Sequence, residues 1–145
     1  MVILPEELRA LKKFHGHLGP YVVVGYRMGA LAMERMPGKL KAVSFSGTKT
    51  PLSCIIDGVQ FSSSCTMGKG NISVMDFGEA RVQFLNDKYL MEVALLEGVK
   101  THIDTTMTHE TEEFMALGLY NEEEANLFRV TMVERSPLVT RVKLK

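Results

Sequence analysis

Between Pro20 and the Pro37-Gly38 pair runs a stretch in which only Arg27, Glu34 and Arg35 are charged. Proline suits the first turn of a helix, where its missing N–H would have no partner anyway, and a Pro-Gly pair stops one. The segment therefore predicts a helix from Pro20 to about Met36. Its three charges are spaced by seven and eight residues, which puts them on one narrow stripe while Val, Ala, Leu and Met fill the remaining surface. Such a helix must be covered on most sides, so the rest of the chain has to wrap around it. Gly25 and Gly29 are four apart and share a face, where missing side chains let a second helix approach closely, from this chain or from a symmetry mate. The apolar run Tyr21–Met33 is only 13 residues and is broken by Arg27. A bilayer span needs roughly 20, so the segment reads as a buried helix and no membrane partner is expected.

The cover has to come from one domain spanning residues 1–145, because a chain of this length falls within the usual single-domain range. An apolar fraction of 46% with 23% charged residues supports a real core and excludes disordered and fibrous classes. Seventeen basic against 17 acidic residues leave no net field to attract nucleic acid or an anionic membrane. Residues 1–13 carry five charges and no uninterrupted apolar core, so no signal peptide is read there and a cytoplasmic location is expected. In that compartment two cysteines are free thiols or metal ligands rather than a disulfide.

Pro5, Glu6 and Glu7 ahead of Lys12 and Lys13 predict a first short helix with charges matched to its dipole. A strand is expected over Lys41–Gly47, and a helix over about Pro51–Ser62 opened by Thr50 and Pro51. Strands follow at Ile72–Asp76, Arg81–Asn86 and Tyr89–Leu95, the last two joined by a turn at Asn86-Asp87. A helix from Thr108 to Leu117 stopped by Gly118, another from Asn121 to about Phe128, and a strand at Leu138–Leu144 complete the reading. The fold class is α+β, an antiparallel or mixed sheet with helices packed on one side.

His15 with His17, and Cys54 with Cys65, are the ligand types that zinc or a similar divalent metal favours. Each cluster begins beside a predicted helix start, whose partial positive charge favours thiolate and neutral imidazole. The two cysteines are 11 residues apart, about 16 Å along an unbroken helix. They share an ion only if the chain folds back at Ser62–Ser64 or a second subunit contributes. On residue types alone, buried apolar cysteines and histidines bonded to a loop backbone explain the same pattern.

The loop Cys65-Thr66-Met67-Gly68-Lys69-Gly70-Asn71 has the glycines and the lysine of an anion cradle, although it lacks the P-loop order and reads equally well as a tight turn. Asp57 and then Gln60 follow Cys54 at helical spacing, placed to orient a ligand or accept a proton, or to make a structural hydrogen bond. His109-Glu110 is not a metalloprotease helix, because Glu113 stands where its second histidine would be. His102, His109, Asp104, Glu110 and Glu112 make either an acidic accessory site or a set of caps and solvated charges.

Taken in order, Phe14-His15-Gly16-His17-Leu18-Gly19-Pro20, Gly25-Tyr26-Arg27, Cys54-Ile55-Ile56-Asp57-Gly58-Val59-Gln60 and Cys65 to Asn71 resemble the family of the E subunit of formylmethanofuran dehydrogenase. The resemblance implies an α+β core, a homodimer, and a crevice lined by the histidine and cysteine motifs that holds a divalent metal ion, zinc or a comparable one. Carried over by position, His17, Cys54 and Cys65 are the metal ligands it implies, with His15 as a second imidazole. Asp57, Gln60, Thr66 and Lys69 are the crevice residues it implies, with Gly68 and Gly70 beside them. In an enzyme Asp57 would accept a proton and Lys69 hold substrate charge; the alternative is a non-catalytic binding or assembly module whose crevice takes a small anionic or pterin-like ligand. Other formylmethanofuran dehydrogenase-like subunits are the implied partners. Many members have a cysteine at the position of Gly19, and others carry a C-terminal zinc ribbon, so the core unit alone is expected here.

Overall fold

The computed structural model describes residues 3–135. In chain order it comprises α1 (Glu6–His15), α2 (Pro20–Arg35), β1 (Lys41–Ser44), α3 (Cys54–Ser63), β2 (Ile72–Val74), β3 (Arg81–Leu85), β4 (Tyr89–Leu95), α4 (Glu97–Thr106), α5 (Glu112–Asn121) and β5 (Phe128–Glu134). The strands form one mixed sheet in the order β2-β1-β3-β4-β5, parallel between β1 and β2 and antiparallel elsewhere. The α+β class and the one-sided helical layer are those expected.

The pervasive apolarity of α2 follows from its position between two layers. Tyr21, Val24, Met28, Leu31 and Ala32 join Val82, Phe84, Met91 and Val93 from the sheet in the main core. Val22 and Val23 belong to a second cluster with Leu8 and Leu11 of α1, Leu18, and Ala116 of α5. The helix expected against the two glycines of α2 is α3 of the same chain. A Cβ on Gly25 would fall under 3.0 Å from the Ile55 backbone, and one on Gly58 would meet the backbone of Val22, Gly25 and Tyr26. The two helices thus touch backbone to backbone, and this small-residue face makes no case for a symmetry mate. Arg27, the lone charge in the middle of α2, donates to the carbonyls of Leu119 (2.8 Å) and Glu122 and so satisfies the end of α5.

Four local expectations are corrected by the fold. α3 begins at Cys54, after a turn at Thr50–Ser53, rather than at Pro51. α5 runs through Gly118 to Asn121, since the packing of Ala116, Leu117, Leu119 and Tyr120 on α2 outweighs one poor helix former. Phe128 does not end a helix: after a short 3₁₀ turn at Glu124–Asn126 it opens β5, whose Val130, Thr131 and Val133 favour a strand and which pairs along the whole of β4. α4, unforeseen, packs on the core through Ile103 and Val99. The strand expected at Leu138–Leu144 lies outside the described residues. Among those residues, no helix is long and apolar enough to cross a membrane.

Candidate functional site

Gly16 ends α1 in the left-handed conformation (φ 104°), its amide bonded to the Lys12 carbonyl, and Pro20 opens α2 four residues later. This short reversal brings His15 and His17 together, with ring centroids 4.8 Å apart, beside the N-terminus of α3. His15, His17 and Cys54 line one narrow cavity of about 30 Å³ with Tyr21, Met107 and Glu112. His15 and Cys54 also wall an adjoining, more open bowl of about 250 Å³ that carries Thr48, Thr50, Ser53 and Asp57. A larger groove of about 460 Å³ between Pro37–Lys39 and the Asn86–Tyr89 hairpin contains no histidine, cysteine or acidic pair, so its size does not mark chemistry.

Asp57, one helical turn beyond Cys54, lies 2.6 Å from His15 Nδ1, and Gln60 donates to its other oxygen at 3.3 Å. The bond to Asp57 assigns the His15 proton to Nδ1 and leaves Nε2 as a lone-pair donor in the neutral ring. Nε2 is buried and has no hydrogen-bond partner among the described residues, while the side chain as a whole is about a tenth exposed. A buried polar atom without a partner is costly, and the residue that carries it lines both cavities. His17 is half-exposed, with Nδ1 at 3.3 Å from Glu112 Oε1.

Burial pushes the Cys54 thiol up from its ordinary value, and the carboxylates of Asp57 and Glu112 add to the shift. The expectation that the helix start favours thiolate is therefore reversed: desolvation and two nearby anions outweigh the dipole of a ten-residue helix. Burial likewise drives the Tyr21 phenol far above its usual range, helped by its hydrogen bond to Asp104. Tyr21 is a buried wall of the cavity, tied to Asp104.

The structure does not bring the second cysteine group to this place. α3 is unbroken from Cys54 to Ser63, and the reversal comes only at Ser64 (φ 63°), so Cys65 stands beyond the opposite end of the helix. It is 1% exposed, belongs to the main core, and its Sγ donates to the Leu40 carbonyl at 3.5 Å. Thr66, Gly68, Lys69 and Gly70 follow it there. The Thr66 amide binds Asn71 Oδ1 (2.7 Å), that of Met67 binds Gln60 Oε1 (2.8 Å), and those of Lys69, Gly70 and Asn71 bind within the loop. Amides already engaged form no anion cradle, so the segment is a tight turn into β2 and Lys69 is not beside the histidines. Gln60 links the two ends, bonded to Asp57 on one side and to Met67 on the other.

His102 and His109 are exposed and line neither cavity. Glu112, which the sequence groups with them, faces His17 instead. No periodicity connects Glu112, Tyr21 and Met107 to His15 in the sequence, so these three lining residues were not legible before folding. Among the described residues, no three His, Cys, Asp or Glu side chains are already drawn together around a metal position. The donor chemistry still fits a zinc-type ion, since imidazole, thiol and carboxylate share one cavity with an orphaned buried Nε2.

Comparison with known proteins agrees with this fold. A crystal structure of a tungsten formylmethanofuran dehydrogenase FmdE-like protein from Syntrophus aciditrophicus superposes with a TM-score of 0.66 at 21% identity, covering 92% of this chain and 73% of that one, a likeness of fold. A protein of Archaeoglobus fulgidus described as a probable S-adenosyl-L-methionine-binding protein is 29% identical over 120 residues, 79% of this chain. The chain spans about a third (31%) of that relative's length. The family model described as FmdE, Molybdenum formylmethanofuran dehydrogenase operon, matches residues 14–138, and the chain belongs to that family.

Proposed function

We propose that the His15–His17–Cys54 cleft binds a divalent metal ion of the zinc type, and that the chain is the metal-binding core of an FmdE-type protein serving one-carbon chemistry. The observation that carries this reading is the buried Nε2 of His15, without a partner among the described residues, its ring held by Asp57 through Nδ1. Carboxylate–imidazole pairs of this kind orient histidine ligands and raise their basicity. His15, His17 and Cys54 would hold the ion, and Asp57 and Gln60 would keep His15 in place. When bound, such an ion supplies Lewis acidity, polarising a carbonyl or lowering the pKa of water. Tyr21, Pro20, Pro51 and Met107 make the cavity wall apolar and restrict water at the bound group. Assembly as a homodimer, and docking on formylmethanofuran dehydrogenase-like subunits, belong to the same reading, the second in keeping with the family's description.

Dialysis against zinc followed by elemental analysis tests it: about one ion per chain is expected. His15→Ala and Cys54→Ser should each abolish retention, whereas Cys65→Ser should keep it because that thiol lies in the core. Equal metal content in His15→Ala and the unmodified protein would refute the assignment.

A second reading is a non-catalytic module that binds a small ligand. It is favoured by the adjoining bowl, where the Thr48, Thr50 and Ser53 hydroxyls stand beside Asp57, and by the description of the Archaeoglobus fulgidus relative. Calorimetric titration with S-adenosyl-L-methionine, with and without zinc, separates the two. Binding that ignores both the metal and His15→Ala favours this reading.

A further inference from the structure

The open bowl beside the N-terminus of α3 is lined by the Thr48, Thr50 and Ser53 hydroxyls, the Asp57 carboxylate, the His15 ring, Cys54 and Ile56, and by no lysine or arginine. The narrow cavity that adjoins it contains Glu112 and again no lysine or arginine. Lys49 stands between two of the lining threonines in sequence, yet it is exposed and lines neither. The field at this place is therefore negative: after burial, the carboxylates of Asp57 and Glu112 are what push the Cys54 thiol up. A cationic group enters the bowl with that field, an anionic one against it.

Hydrogen-bonding capacity narrows the ligand further. A carboxylate has about four acceptor positions, and Asp57, about two-fifths exposed, is met by His15 at 2.6 Å and by Gln60 at 3.3 Å. The His15 side chain is about nine-tenths buried, and its Nε2 has no partner among the described residues. With Nδ1 turned to a carboxylate, Nε2 of the neutral ring is an acceptor, so what it lacks is a donor. A protonated primary amine brings a positive charge, three N–H donors and no acceptor, which matches Asp57, Nε2 and the hydroxyl oxygens together. A quaternary ammonium brings the charge without the donors. The bowl, at about 250 Å³, falls below the roughly 300–1,000 Å³ usual for drug-sized ligands, which suits a small molecule.

We propose that the bowl binds a small primary amine in its protonated form, with Asp57 as counter-ion, His15 Nε2 as acceptor, and the Thr48, Thr50 and Ser53 hydroxyls around it. The proposal rests on the small-ligand reading above and gives that ligand its chemical class. Asp57 then has two contacts, one holding the His15 ring and one on the ligand.

NMR titration of the chelator-treated full chain with four hydroxylated probes, ethanolamine, choline, ethylene glycol and glycolate, tests it. The signals followed are the backbone amides of Thr48–Asp57 and the ring nitrogens of His15, at about pH 8, where an imidazole is ordinarily neutral and a primary amine protonated. Ethanolamine should bind at least about ten-fold more tightly than ethylene glycol or glycolate, the margin of a charge-assisted hydrogen bond, and should shift the Nε2 resonance. Choline should bind more weakly than ethanolamine. Asp57→Asn, shown to be folded by its thermal unfolding, should lose the preference for ethanolamine over ethylene glycol, and Asp57→Glu should recover part of it. The order of the four probes on the unmodified chain decides even where a variant does not fold. Glycolate, ethylene glycol or choline binding as tightly as ethanolamine would overturn the proposal and leave the small-ligand reading standing, as would a preference that survives in Asp57→Asn. No response at the bowl to any of the four would overturn both.

Discussion

His15 is the residue on which the proposed metal reading turns, and Asp57 is its partner. The 2.6 Å contact orients the ring through Nδ1, and Nε2 is buried without a partner among the described residues. Asp57→Asn keeps the size of the side chain and loses the charge that holds the His15 ring through Nδ1. Zinc affinity, measured by competition with a chromogenic chelator, should fall about 10–100-fold. The melting temperature should hardly move, because Asp57 is about two-fifths exposed and lies outside the core.

Among the elements, the α2–α3 pair sets the position of the cleft. Cys54 reaches the histidines because α3 lies directly on α2, and that approach depends on Gly25 and Gly58, where an added Cβ would meet backbone atoms that cannot move aside. Gly25→Ala or Gly58→Ala should destabilise by at least about 4 kcal/mol in urea unfolding, or prevent folding. Gly29→Ala is the control. Its Cβ would meet chiefly the Ser62 hydroxyl, the movable end of a side chain, so a smaller overpacking cost of about 1–3 kcal/mol is expected. Nearly equal losses at the three positions would contradict this account of the helix pair.

Across the whole molecule, the core and the cleft share the Tyr21 wall but not the histidines. The main core closes between the sheet and α2–α3, and His15 and His17 belong to neither apolar cluster. Chelation should therefore leave the protein folded with a cooperative melt, and zinc at 100 times its dissociation constant should add about 2.7 kcal/mol. Loss of the transition on chelation would instead make the metal structural.

A long-range tie joins α2 to α4, where Tyr21 and Lys100 both donate to Asp104. Burial alone would raise this carboxyl, but the two donors outweigh it and hold Asp104 below the ordinary carboxylate range. A depressed folded-state value gives stability that is present above the unfolded pKa and is lost as pH falls through the folded one. Asp104→Asn should accordingly flatten the dependence of melting temperature on pH between about pH 5 and pH 3, with Oδ1 still accepting from Tyr21.

Local rules were enough for the Pro20 helix, the α+β class and the β3–β4 hairpin, because each rests on spacing within a few turns, and residue type singled out His15, His17 and Cys54, which line one cavity. They failed wherever the deciding energy was tertiary. Phe128 entered a strand because β4 was there to pair with it, and α5 continued past Gly118 because α2 covered its apolar face. Cys65 carried the same residue-type signal as Cys54, yet an unbroken α3 sent the two thiols to opposite ends, one to the cleft and one to the core. Glu112 gave no signal of its own, since its meaning depends on a neighbour 95 positions away. Donor types are written in the chain one residue at a time; which of them meet depends on how helices pack.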